Sequence, residues 1–151
     1  MRKACVMLLL SCFVAISYSQ ELDIIRHNYS QAARNKALCK EMISKLENNK
    51  QPVQLAYLGA FQTIWAKHAL NPFEKMRTFK QGKANIEESI AQSPADLEIR
   101  FIRLSVQMNA PKFLGYSDNI EEDKKMIRHN GSAIKSEMLQ KMINECIKLK
   151  E

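Results

Sequence analysis

The chain has 151 residues, of which 46% are hydrophobic and 26% charged, a formal net charge of +7 and only four glycines. That is enough sequence for one domain with a real core, and too little glycine for a turn-rich β fold. The positive charge is spread along the chain, and no Lys/Arg cluster alternates with aromatics; this argues against a nucleic-acid partner and for a solvated basic surface.

The first twenty residues differ from the rest. Arg2 and Lys3 precede an apolar run over 6–16, and Ser17-Tyr18-Ser19 offers small residues before a cut at Gln20. This is the three-part layout of a secretory signal over 1–19. The run is too short to span a bilayer core of about 30 Å, so no transmembrane segment would follow cleavage. Leu9-Leu10-Ser11-Cys12 loosely resembles a lipobox, but apolar residues continue past Cys12 where a lipidated chain turns polar. Cleavage leaves 132 residues, 20–151, as a single helical domain, and lowers the net charge to +5. Export implies a periplasmic or secreted location.

Spacings of three and four put Ile25, Tyr29, Ala32, Cys39, Ile43 and Leu46 on one face of a helix over 21–48, with one interruption at Lys36. Pro52 starts a second helix to residue 70. Its wide apolar arc (Leu55, Leu58, Trp65; Tyr57, Phe61, Ile64) predicts a central position, and Ala56, Gly59 and Ala60 would admit another helix closely. Asn71-Pro72-Phe73-Glu74 is a helix start in which Asn71 caps and Glu74 reaches back. That third helix ends at Ser93-Pro94. A fourth, over 95–109, carries Arg100 and Arg103 on an otherwise apolar sequence. The irregular stretch 110–116 holds Phe113, Leu114 and Tyr116, which must be buried and so should plug one end of the stack. Ser117 or Asp118 caps a short fifth helix, Asn130-Gly131 turns the chain, and Ile134, Met138, Met142, Cys146 and Leu149 line a last one.

No segment alternates as a strand does, so the fold is all-α: an antiparallel bundle or a short helical-hairpin array of about five to six helices. Residues 55–94 resemble one tetratricopeptide unit, with small and aromatic residues in a first helix and a proline closing the second. About half of the chain, 57–127, also resembles a group of exported proteins of Bacteroidota. That likeness rests on Asn71-Pro72, on the run 98–107 and on Phe113-Leu114-Gly115-Tyr116. It implies a bacterial envelope location and assigns no functional residue.

Two cysteines, Cys39 and Cys146, outlast the cut, at a separation that fits no zinc or redox motif. They are either buried thiols or a disulfide clasping first helix to last, which would add about 4–5 kcal/mol through a loop of about 100 residues. His27, His68 and His129 each follow a cation and none is a helical turn from another, so no metal is expected. Glu121-Glu122-Asp123 reads as a solvated helix start. No nucleophile motif, phosphate loop or cofactor motif is present, so no cofactor and no enzymatic activity are expected. Arg100 and Arg103 either pair with Asp96, Glu98 or the fifth-helix acids, or line a groove for an anion or a partner's carboxylate. The first functional reading is a helical interaction module offering a groove to a peptide or protein partner in the cell envelope. The second is a small-molecule or lipid carrier with a cavity lined by Trp65, Phe101, Phe113 and Tyr116. An enzyme with a dispersed site ranks third.

Overall fold

A computed structural model describes residues 18–148, whose regular structure is entirely helical. Most of the signal segment, with Cys5 and Cys12, lies outside the described residues. Among the described residues seven α-helices, not five or six, follow in order: α1 over 18–32, α2 Lys36–Leu46, α3 Pro52–His68, α4 Pro72–Gln92, α5 Leu97–Asn109, α6 Ile120–Asn130 and α7 Glu137–Lys148. Single 3₁₀ turns occupy Lys112–Leu114 and Gly131–Ala133.

The extra helix arises because the stretch expected as one helix over 21–48 is two. Asn35 takes an extended conformation (φ −125°, ψ 97°) and its side chain accepts from the Leu38 amide, starting α2 afresh. The interruption at Lys36 in the apolar stripe marks this break.

α3 is the centre. Every residue from Gln54 to Ile64 is buried, because α1, α2, α4 and α5 cover it on all sides. α4 runs antiparallel to it, and the two backbones come into close contact where Gly59 faces Gly82. α5 is the second buried helix, with Glu98 through Gln107 all inside. α6 returns antiparallel along it, held by pairs from Gln107–Asn119 to Arg100–Asp123.

Three expected helix details differ. Glu74 does not reach back to the cap; Asn71 alone caps α4, through the Phe73 amide, and Glu74 accepts from Trp65 Nε1 at 2.9 Å. α6 starts at Ile120, past both Ser117 and Asp118. Ile134 is extended (ψ 113°), so α7 begins later and buries Leu139 and Ile143, turning Met138 36% outward.

Candidate functional site

An apolar concavity follows from how α1, α3, α4, α5 and α7 meet. Side chains on these helices are apolar but do not fill the space between them, which leaves a half-enclosed groove of about 750 Å³. Tyr29 comes from α1, Ile64 and Ala66 from α3, Met76 and Phe79 from α4, Phe101 and Val106 from α5, and Met142 and Cys146 from α7. Phe113 and Leu114 of the first 3₁₀ turn complete it, and Lys67, Lys75 and Glu145 bring charge to its lining.

One hydrogen-bonded pair is set into this apolar lining. The Tyr29 hydroxyl lies 2.7 Å from Ser105 Oγ. Ser105 already donates to the Ile102 carbonyl at 2.8 Å, so Tyr29 is the donor and keeps its own lone pairs. Burial pushes the Tyr29 phenol up to about 12, so it is a neutral group at physiological pH. Its ring is fixed edge-on against Tyr57 and Phe61 at 5.6 and 5.8 Å.

Of the four aromatics expected to line a cavity, Phe101 and Phe113 do so. Trp65 does not: its Nε1–H donates to Glu74 and the Lys36 ammonium sits 5.3 Å from its ring, outside the groove. Tyr116 stands behind Phe79, edge-on at 6.2 Å, and donates to Glu87 at 2.6 Å. The expected plug is therefore divided. Tyr116 is buried and Leu114 half-buried, whereas Phe113 is 82% exposed because the 3₁₀ turn ends in a left-handed Gly115 (φ 57°) that reverses the chain between them.

Arg100 and Arg103 are absent from the groove. Arg103 makes a two-pronged bond to Asp123 (2.7 and 2.8 Å) and reaches Glu87, while Arg100 binds Glu122 at 2.7 Å, Asp123 at 3.0 Å and the Pro94 carbonyl. Asp123 is completely buried, not a solvated helix-start acid: two guanidiniums cover it. Asp96 is a cap, accepting from the Glu98 and Ile99 amides, and takes no part in this ion pairing.

A second ionic knot escaped the sequence reading. Glu98 receives both Arg26 prongs (2.8 and 2.7 Å) and the Tyr57 hydroxyl (2.8 Å), which ties α1 and α3 to α5. Glu98 was a candidate partner of Arg100 and Arg103, but it pairs instead with Arg26, 72 positions away. Burial and the neighbouring Glu98 push Tyr57 well up. The same two causes, with Glu87 as the carboxylate, raise Tyr116. All these phenols are held more firmly in the protonated form, so they act as hydrogen-bond donors.

Cys39 is a free, buried thiol that donates to the Phe61 carbonyl at 3.3 Å, while Cys146 lies in the groove on α7. No disulfide joins them. His68 bonds the Ala32 carbonyl and His129 that of Lys125. Among the described residues no three His, Cys, Asp or Glu side chains converge as a metal set, and no helix is long and apolar enough to cross a membrane. No known protein family matches the chain, and neither a curated protein nor a solved structure is found to be similar to it.

Proposed function

We propose that this chain is an exported, non-enzymatic binding protein whose working part is the groove, with the apolar tail of a small amphiphile as its occupant. The observation that carries this reading is the groove itself: about 750 Å³, within the range of small-molecule sites, with mostly apolar walls and a few convergent polar groups. An acyl chain would lie along Phe101, Val106 and Met142. The Tyr29–Ser105 pair or the lysines Lys67 and Lys75 would receive a polar or anionic head.

The helical interaction module is the second reading, favoured by the open side of the groove, which an apolar peptide segment could enter. Export rests on the signal layout of residues 1–19 and on the likeness to exported proteins of Bacteroidota.

Displacement of a solvent-sensitive dye decides between the occupants. Anilinonaphthalene sulfonate should brighten in the groove and be driven out by oleate. Ala33→Trp, at an exposed position lining the groove, should abolish the oleate effect while leaving the fold intact. Dye release by an apolar helical peptide but not by oleate would favour the module. Release by neither would reject both readings.

A further inference from the structure

Leu70, Phe73 and Phe113 are 91%, 86% and 82% exposed, whereas no other large hydrophobic side chain among the described residues is more than 51% exposed. None lies in the body of an α-helix: Leu70 is in a connection and Phe73 in the first turn of α4. Leu70 and Phe73 flank Pro72 where α3 passes into α4, and Phe113 belongs to the first 3₁₀ turn. Pro72 and Phe113 both line the groove, so Phe113 and the chain segment that carries Leu70 and Phe73 border it.

Their surroundings are cationic. Lys67 and Lys75 line the same groove and Lys112 precedes Phe113; none of these lysines is in an ion pair among the described residues. The acids near the mouth are Glu74, which accepts from Trp65, and Glu145 on α7. Protein–protein interfaces favour aromatics but are poor in lysine. Projecting Phe and Leu side chains amid lysines match instead the boundary between lipid headgroups and acyl chains, where apolar tips enter and ammonium groups meet phosphates.

We propose that this rim docks reversibly on an anionic phospholipid surface, with Leu70, Phe73 and Phe113 entering the boundary layer and Lys67, Lys75 and Lys112 facing the headgroups. The docking does not depend on what the groove binds. If the groove takes an amphiphile, its mouth would open towards the bilayer that holds one.

Co-sedimentation with vesicles tests this, using phosphatidylcholine with phosphatidylglycerol against phosphatidylcholine alone. The variant combines Leu70→Ser, Phe73→Ser and Phe113→Ser, all at exposed positions, so its melting curve should match that of the parent. Both proteins carry the same N-terminus, so any contribution from it cancels. The parent should pellet with anionic vesicles and be released by salt. The variant should partition about a hundredfold more weakly, given about fivefold for each of the three apolar side chains only partly withdrawn from water. Equal pelleting of parent and variant, equal pelleting with uncharged vesicles, or no pelleting of the parent would overturn the proposal. So would a dimer that the variant dissociates in the absence of vesicle binding, which would assign the rim to a second copy. Dye displacement by oleate is read on the parent protein, whose groove keeps Phe113, so its result stands apart from these outcomes.

Discussion

Gly59 on α3 and Gly82 on α4 face each other at the crossing of the two helices, each against the other's carbonyl oxygen. A Cβ on Gly59 would stand 2.5 Å from that oxygen of Gly82 and 2.8 Å from Ile86 Cγ1, and a Cβ on Gly82 would be at least as crowded. The obstacle is backbone, so no rotamer change relieves it. Gly59→Ala or Gly82→Ala should each cost about 2–3 kcal/mol, against the small gain alanine normally brings to a helix. Thermal melting checks this, and an unchanged or raised Tm would mean the helices are not so close.

Asp123 is the acid on which Arg100 and Arg103 converge. Removing it leaves two buried guanidiniums without their shared counter-charge, and Asp123→Ala should cost about 3–5 kcal/mol. The double variant Arg103→Met, Asp123→Leu should cost less than Asp123→Ala alone, since fewer buried charges are stranded. Urea unfolding of the three proteins measures the difference.

How these charges would be used was only half legible in the sequence. Arg100 and Arg103 stood out because an apolar helix carried them, and fifth-helix acids were among their candidate partners. The burial of Asp123 was not readable, because a Glu-Glu-Asp run at a helix start looks solvated until the partner helix supplies two arginines. Helix type and the central place of α3 were written in periodicity, and its small residues announced a close neighbour. The groove was not: Phe101 and Phe113 could be nominated as large apolar side chains, but Trp65 and Tyr116 looked equally suitable, and only tertiary placement separates them. Nor could spacing reveal that Tyr29 and Ser105, 76 positions apart, would bond across α1 and α5.

Tyr116 and Phe113 should behave oppositely although three residues apart. Tyr116→Phe deletes the bond to Glu87 and leaves that acceptor with one partner fewer, costing about 1–2 kcal/mol. Phe113→Ser removes an exposed ring and should leave stability within about 0.5 kcal/mol. Denaturant midpoints distinguish the two.

The thiols should separate by burial. Burial pushes Cys39 from its ordinary 9.0 up to about 12, so the fold favours the protonated form. A raised pKa contributes stability that is whole below about 9 and is lost as pH climbs from 9 towards 12. Cys39 should resist iodoacetamide until the protein unfolds, and its labelling should track unfolding when pH is raised through that window. Rapid native-state labelling of Cys39 at neutral pH would contradict its placement under Phe61.

Cys146 offers the most direct test of the groove, because its thiol lies within the lining and Cys39 provides an internal reference. The rate of Cys146 alkylation should be measured by mass spectrometry with and without oleate, on parent and Ala33→Trp protein. An occupied groove predicts that oleate slows Cys146 in the parent by about tenfold or more, and has little effect in the variant. Equal rates in the parent with and without oleate would contradict the groove as an amphiphile site.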